Sequence, residues 1–309
     1  MKTNYTKLIG ILLFAFATTA FGETKQAERI AISGTKFTYP LIEKWIAEYA
    51  KVNPDVKIVL VQKSASAIDL NVVAHQPSKE ELKDNQEIVY AGRYALLPVT
   101  NSSNPLFAIA RKKGFTKKEV DKLFFDVINY DDEDEPKKEK PKFASTIYAR
   151  ENQACASTAL ASYFGHSASE IRGKKVFGDD IHLLSALKKD TVGITYNNLG
   201  YLFDTTTRKL KDGIALLPLD VRKENKDLLN GNVDDVIALL EKTQIETIPV
   251  EKVGFIFSQQ VASHALADFL KWVLNDGQKY NHNYGFLNLS NDVLAQQKSK
   301  LTETNLTLK

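Results

Sequence analysis

Short apolar runs alternate along this chain with longer segments whose apolar residues recur at helical spacing. The first run, at 29–33, predicts a strand, and the apolar stripe at 41, 42, 45, 46 and 49 predicts a helix with Pro40 in its first turn. By the same reasoning we expect strands at 57–62, 87–97, 192–196, 213–219 and 252–258, helices at 234–240 and 265–274, and a short helix that opens at Pro77-Ser78. Such alternation is typical of an α/β fold.

A second strand-loop-helix unit repeats the arrangement of the first. A strand is predicted at 143–150, a loop at 151–156, and then a helix that runs to Phe164, with Gly165 placed to end it. The N-terminus of a helix presents unpaired N–H groups and the positive end of the helix dipole, which together favour an oxyanion. Two such units that face each other would form an anion-binding cleft.

The first 22 residues have the three parts of a signal peptide. Lys2 and Lys7 precede an uncharged apolar stretch at 8–21, and Ala20-Phe21-Gly22 supplies the small residues of a cleavage site. A membrane anchor is the alternative, but the stretch is shorter than the roughly 20 residues that a spanning helix needs. No cysteine lies near the cleavage site to accept a lipid. We therefore expect cleavage after Gly22 and a mature protein that is periplasmic or otherwise exported.

The composition is that of a globular protein with two domains. The chain has 309 residues, 43% apolar and 26% charged, and a single core stops growing at about 250–300 residues. Lys and Arg number 41 against 38 Asp and Glu, and removal of the leader leaves 39 against 38. This balance excludes a nucleic-acid-binding module, which concentrates basic residues on one face. The charged segment DDEDEPKKEKPK at 131–142 is interpreted as a solvated loop or, alternatively, as a docking patch for a partner.

Sequence motifs for catalysis and for metal binding are absent. There is no Gly-X-Ser-X-Gly, no His-Glu-X-X-His, no phosphate-binding Gly-X-X-X-X-Gly-Lys and no dinucleotide fingerprint. The five histidines, at 75, 166, 182, 264 and 282, have no metal-ligand spacing. Cys155, the only cysteine, excludes an internal disulfide; at the start of a predicted helix it is either a functional thiol or a small buried residue. The sequence therefore predicts no enzyme activity, no cofactor and no metal.

Four stretches of the chain are informative when they are taken together. They are GTKFTYPLIEKW at 34–45, Arg150-Glu151 followed by Tyr163-Phe164-Gly165, GITYNN at 193–198, and FLKWVLNDGQKY at 269–280 with Tyr284-Gly285-Phe286. In this order and spacing they resemble the periplasmic phosphate-binding proteins of ABC transporters. The resemblance implies a type 2 periplasmic-binding fold, in which two α/β lobes are joined by two crossover segments. We expect lobe one at 23–98 plus 250–309 and lobe two at 99–249, with crossings near 98–100 and 248–250.

The resemblance also implies a function and a set of ligand-binding residues. It implies a monomer without catalytic activity that captures a small anion for an inner-membrane ABC permease. Thr35, Lys36 and Phe37 match the first anion cradle of the family, and Arg150 opens the second, where a guanidinium suits a tetrahedral oxyanion. The full candidate set is Thr35, Lys36, Phe37, Ser66, His75, Arg150, Asn152 and Asn197.

Two departures from the family pattern leave a second function open. After Arg150 the family carries a Gly-Ser-Gly-Thr-like run, whereas NQACA at 152–156 has no hydroxyl, and the segment after the second strand is short and leads to Ala74-His75. Each unmet acceptor oxygen of a buried phosphate costs about 1–3 kcal/mol. The chain is therefore either a binding protein for a small oxyanion or related polar ligand, or a two-lobed scaffold for interaction or assembly in the cell envelope that does not bind phosphate tightly.

Overall fold

The computed structural model describes residues 28–78, 80–107, 113–125, 145–151, 154–259 and 263–307. The strands in these ranges are β1 (Glu28–Gly34), β2 (Val56–Leu60), β3 (Leu70–Val73), β4 (Gln86–Asn101), β5 (Thr146–Arg150), β6 (Lys174–Val176), β7 (Gly193–Asn198), β8 (Ile214–Leu216) and β9 (Val250–Ser258). The helices are α1 (Tyr39–Val52), α2 (Lys117–Phe125), α3 (Cys155–Phe164), α4 (Asp180–Lys188), α5 (Leu199–Leu202), α6 (Lys223–Leu229), α7 (Val233–Lys242), α8 (His264–Leu274) and α9 (Asn291–Thr307). Short 3-10 turns lie at Lys36–Thr38, Ala168–Glu170, Asp276–Tyr280 and His282–Tyr284.

The strands are joined in the order β2-β1-β3-β9-β4-β7-β5-β6, and β8 pairs with β4 outside this path. Two parallel sets lie at the ends, β2-β1-β3 and β7-β5-β6, and the antiparallel strands β9 and β4 lie between them. Loops that leave the carboxyl ends of parallel strands are where α/β proteins bind ligands. In this chain they include the loops after β1, β3, β5 and β7.

Strand β4 changes its partner part-way along. Residues 86–95 pair with β9, with a bulge between Tyr90 and Gly92, whereas residues 96–100 pair with β7 and 99–101 with β8. At the change, Ala95 lies opposite Val250, and the N–H of Leu96 donates to the carbonyl of Pro249 (2.9 Å). The two stretches of chain that link one parallel set to the other therefore run side by side and are hydrogen-bonded to each other.

Helix α1 forms because its apolar residues lie on one face and because Pro40 occupies the first turn, where its missing N–H leaves no bond unmade. The indole N–H of Trp45 donates to the carbonyl of Gly277 (2.9 Å), which fixes the helix against the 3-10 turn after α8. The buried face consists of Leu41, Ile42, Trp45 and Tyr49. This packing holds the start of α1, and the loop before it, in one place.

The structure differs from the sequence prediction in several elements. The described residues around Pro77-Ser78 form no helix; residues 80 and 81 make a turn, and the Ser78 N–H donates to the carboxylate of Glu81 (2.7 Å). Strands β3 and β6 and helices α2, α4, α5, α6 and α9 were not predicted, and β4 continues past its predicted end at 97 to Asn101. The predicted signal peptide and the charged segment at 131–142 lie outside the described residues.

The described helices include none whose length and apolar content would let it cross a lipid bilayer.

Candidate functional site

The loop after β1 depends on a glycine. Gly34 has a φ of 133°, and a Cβ there would lie 2.2 Å from the carbonyl oxygen of Val72 in β3, so only glycine fits. The close approach lets the N–H of Thr35 donate to that same oxygen (3.1 Å). The hydroxyl of Thr35 donates to the Val72 oxygen as well (3.2 Å) and lies 2.9 Å from the sulfur of Cys155, the first residue of α3. The loop after β1 is thus in direct contact with the helix that follows β5.

The loop after β3 brings His75 to the same place. The hydroxyl of Tyr94 donates to the carbonyl of Ala74 (2.6 Å), and this bond fixes the backbone just before His75. His75 Nε2 lies 3.3 Å from Oε1 of Glu81, and only 15% of the His75 side chain is exposed. Its other ring nitrogen, Nδ1, is buried and has no hydrogen-bond partner among the described groups. The imidazole is therefore held at one edge by a carboxylate and turned at the other toward the interior of the site.

The sulfur of Cys155 is the point at which these segments meet. The Thr35 hydroxyl, the Ala74 N–H and the His75 imidazole all interact with it. Burial raises the pKa of the thiol, but the hydrogen bonds from these groups outweigh burial and leave the pKa below its ordinary value. The interaction with Cys155 is also the largest cause that raises the pKa of His75. The two shifts therefore reflect one interaction, between the thiol of Cys155 and the imidazole of His75.

Arg150, the last residue of β5, forms an ion pair inside the protein. Its Nη1 lies 2.9 Å from Oδ1 of Asp180 and 3.6 Å from Oδ1 of Asp179, and the side chains of Arg150 and Asp180 are only 13% and 6% exposed. Burial raises the pKa of Asp180, although the guanidinium acts in the opposite direction. Arg150 Nε is buried with no hydrogen-bond partner among the described groups. The guanidinium thus has two carboxylates beside it, and its buried Nε–H donates to no described group.

Asn197, near the end of β7, joins the Arg150 cluster. Its Nδ2 donates to the backbone carbonyl of Asp180 (2.8 Å), and its Oδ1 accepts the N–H of Asn198 (2.9 Å). The buried amide therefore holds the start of α4 against β7. Of the predicted site residues, the structure brings Arg150 and Asn197 together here, as it brings Thr35 and His75 together at Cys155.

The other four candidates are placed differently. Phe37 is buried, with its ring centroid 4.8 Å from that of Tyr94, so it packs in the core behind the site. Lys36 and Ser66 are exposed. Asn152 lies outside the described residues.

Sequence reasoning did not include Cys155 or Asp180 among the ligand-binding candidates. Cys155 was named as a functional thiol or a buried residue, and only the fold brings His75 and Thr35 to it. The pair Asp179-Asp180 carries a local signal, because Asp179 caps α4 by accepting the N–H of Asp180 (2.7 Å). That signal predicts a helix start and says nothing about Arg150.

The side chains that the structure describes contain no cluster of three or more His, Cys, Asp or Glu suited to a metal ion.

No protein-family model matches this sequence, and no curated protein is similar to it. Solved structures are similar in fold. A phosphate ABC transporter substrate-binding protein from Clostridium perfringens, solved with bound phosphate, aligns over 85% of this chain and 100% of its own, with a TM-score of 0.61 and 15% identity. An ABC-type phosphate transport receptor from Vibrio cholerae aligns over 84% and 99%, with a TM-score of 0.58 and 11% identity. The chain has the type 2 periplasmic-binding fold.

A third similar structure, PstS from Borrelia burgdorferi, aligns over 84% of this chain and 98% of its own, with a TM-score of 0.50 and 14% identity. These similarities confirm the α/β architecture and the periplasmic-binding fold that the sequence resemblance implied. Near the ends of β1, β3, β5 and β7 this chain has two polar clusters, one centred on Cys155 and one on the Arg150–Asp180 pair. Identities of 11–15% establish the fold alone, so the function has to be argued from these clusters.

Proposed function

We propose that this chain is an exported solute-binding protein, without catalytic activity, that captures a small oxyanion or a related polar solute and delivers it to an ABC permease. The observation that carries the proposal is the convergence of three polar groups beside the N-terminus of α3: the Thr35 hydroxyl, the Ala74 N–H and the His75 imidazole. Donors gathered at a helix N-terminus stabilise negative charge. The fold shared with proteins solved as phosphate-binding components of transporters supports the same function.

The ligand would bind between two lobes, at 23–98 plus 250–309 and at 99–249. The change of partner along β4, from β9 to β7 between Ala95 and Leu96, supports a boundary there. The contact between Thr35 and Cys155 then joins one lobe to the other. Separation of the lobes would break this contact and leave these three polar groups facing a solute.

Charge argues for a ligand with at most one negative charge at neutral pH. The Arg150 guanidinium is already within 2.9 Å of Asp180 and 3.6 Å of Asp179, so the cluster carries no excess positive charge. Lys36, the other predicted cation, is exposed. A dianion would have to compete with two carboxylates for Arg150 and would forgo most of the roughly 1.5–3 kcal/mol that a hydrogen bond to a charged group contributes.

Titration calorimetry of the mature protein at pH 7 tests the proposal, with phosphate, sulfate, nitrate and formate as ligands. We expect binding of a singly charged member of this panel to exceed binding of sulfate. Thr35→Val should weaken that binding about twofold to twelvefold, since a net hydrogen bond contributes about 0.5–1.5 kcal/mol. Thr205→Val, at an exposed threonine, is the matched control and should bind like the wild type. Equal affinities of the Thr35 and Thr205 variants would contradict this assignment of the site.

A scaffold function without a ligand is the second candidate. It is favoured by one observation, which is that the polar groups of the site satisfy each other, Thr35 with Cys155 and Arg150 with Asp180. A scaffold would give no binding heat for any member of the panel. It would also give none after Asp180→Asn, which removes the carboxylate that competes for Arg150.

A further inference from the structure

A cavity of about 280 Å³ lies beside β4, at the point where the strand exchanges one partner for another. The N–H of Leu96 donates to the carbonyl of Pro249 (2.9 Å), and two residues later the carbonyl of Pro98 accepts the N–H of Leu217 (2.9 Å). Residues two apart in a strand present their backbone groups to the same edge. The segment that leads into β9 and the segment that follows β8 therefore meet end to end along one edge of β4. Both line the cavity, which lies where they leave that edge near Leu97.

The described walls of the cavity are largely apolar. Four buried residues from different segments belong to them: Leu97 of β4, Leu217 after β8, Leu229 of α6 and Ile248 before β9. Walls of this kind give water few hydrogen-bond partners, and a dry apolar cavity of about 150 Å³ already holds benzene. The cavity beside β4 therefore has room for an apolar body larger than a benzene ring.

Helix α6 adds a positive charge to these walls. Among the described residues that line the cavity, Lys226 alone is charged, and its side chain is half-buried. The other polar residue of the lining, Asn230, is tied to the end of its own helix, because its Nδ2 donates to the carbonyl of Lys226 (2.8 Å). No described group forms an ion pair or a hydrogen bond with the Lys226 ammonium. An unpaired ammonium beside an apolar space is complementary to an anion that carries an apolar body.

From this complementarity we propose that the cavity is a second ligand site, which takes a monocarboxylic acid with an apolar body of roughly ten carbon atoms. The apolar body lies between β4 and α6, and the carboxylate pairs with Lys226. One ammonium balances one negative charge, so a carboxylate suits the site better than a phosphate monoester, which carries nearly two. The described lining includes no residue of the Cys155 or Arg150 clusters, and the proposal does not depend on solute capture there.

Titration calorimetry of the mature protein at pH 7 tests the proposal with three compounds of one shape. They are 4-phenylbutyrate, 4-phenylbutyramide and 4-phenylbutylamine, which at this pH are negative, neutral and positive. We expect the acid to bind about tenfold more tightly than the amide, and the amine to bind least tightly. Tenfold corresponds to about 1.4 kcal/mol, which is near the lower limit for a hydrogen bond to a charged group.

Lys226→Met assigns this preference to the cavity. The variant should lose about tenfold in affinity for 4-phenylbutyrate and nothing for the amide, whereas Lys226→Arg should retain the preference for the acid. Lys223→Met is the matched control, because Lys223 is exposed on the same helix and is not part of the described lining. It should bind all three compounds like the wild type, and urea unfolding checks that each variant is folded.

Three results would overturn the proposal. They are no binding of any of the three compounds, equal affinities of the wild type for the acid and the amide, and equal affinities of the Lys226→Met and Lys223→Met variants for the acid. Lys226→Met should bind phosphate, sulfate, nitrate and formate like the wild type, because Lys226 belongs to neither polar cluster. Failure of this site and failure of the solute site are therefore seen in separate titrations.

Discussion

Replacement of Asp180 by Asn should turn a neutralised arginine into an anion-binding group. In the wild type the Asp180 carboxylate lies 2.9 Å from Arg150 Nη1, and both side chains are nearly buried. Asparagine has the same shape and keeps an oxygen where Nη1 can donate to it, but it has no charge. The guanidinium then retains its positive charge, and its Nε is available as a second donor.

The expected magnitude follows from the hydrogen bonds involved. A hydrogen bond between a guanidinium and an anion contributes about 1.5–3 kcal/mol, which corresponds to roughly a tenfold to 150-fold gain in sulfate affinity. Stability should fall, because the substitution leaves the buried guanidinium with only Asp179, at 3.6 Å, as a counter-ion. Arg150→Ala is the less informative change. It leaves the Asp180 carboxylate buried without its cation and should reduce the free energy of unfolding by about 3–5 kcal/mol.

Sulfate titration by calorimetry at pH 7 is the assay, because sulfate keeps the same charge across the pH range of interest. Asp227→Asn, at an exposed aspartate, changes the net charge equally and serves as the control. If Asp180→Asn binds sulfate no more tightly than Asp227→Asn does, Arg150 is not available to ligands and the reasoning is wrong.

The pH dependence gives an independent check. Burial raises the pKa of Asp180 in the folded protein, so the folded state binds this proton more readily than the unfolded chain does. Its favourable contribution to stability is therefore present at low pH and is lost as the pH rises through the raised pKa. We expect wild-type sulfate affinity to increase as the pH falls and to approach that of Asp180→Asn, whose affinity should not show this rise.

Two further predictions concern the loop after β1 and the N-terminus. Gly34→Ala should lower the free energy of unfolding, measured in urea, by more than about 3 kcal/mol, because the new Cβ would lie 2.2 Å from the Val72 carbonyl oxygen. Gly165→Ala, also at positive φ but with no atom within 4 Å of the new Cβ, should lower it by only about 1–2 kcal/mol. Equal losses in the two variants would exclude the steric explanation. Intact mass of the protein from the exported fraction should correspond to a chain that begins at Glu23, and a retained leader or an attached lipid would contradict the predicted cleavage.

Local sequence signals were sufficient for the elements with strong periodicity. Helices α1, α3 and α8 were predicted because each combines an apolar face with a recognisable start or end, such as Pro40 in α1 and Gly165 after α3. Strand β3 was missed because it has only four residues in a polar segment. The helix predicted at Pro77-Ser78 is wrong. The carboxylate of Glu81 accepts the N–H of Ser78, as it would at the start of a helix, but the chain turns at residues 80 and 81 and leads into β4.

The site was predictable only as a set of loops. The sequence placed Thr35 and Arg150 at the ends of strands, and that is where they lie. The contacts that determine their chemistry join residues far apart in the chain: Thr35 and Cys155 are separated by 120 positions, and Arg150 and Asp180 by 30. No pattern in a single sequence specifies such pairs, because they depend on the register of the strands between them.

The side-by-side course of β4 and β9 has a mechanical consequence. A conventional hinge is a loop whose backbone rotates freely, but here both connections between the two parallel sets are strands paired with each other at Ala95 and Val250. Any opening of the site must therefore twist a two-stranded ribbon whose hydrogen bonds resist rotation. A rotation of one parallel set against the other would therefore be limited by the stiffness of this two-stranded ribbon and not by the length of a linker.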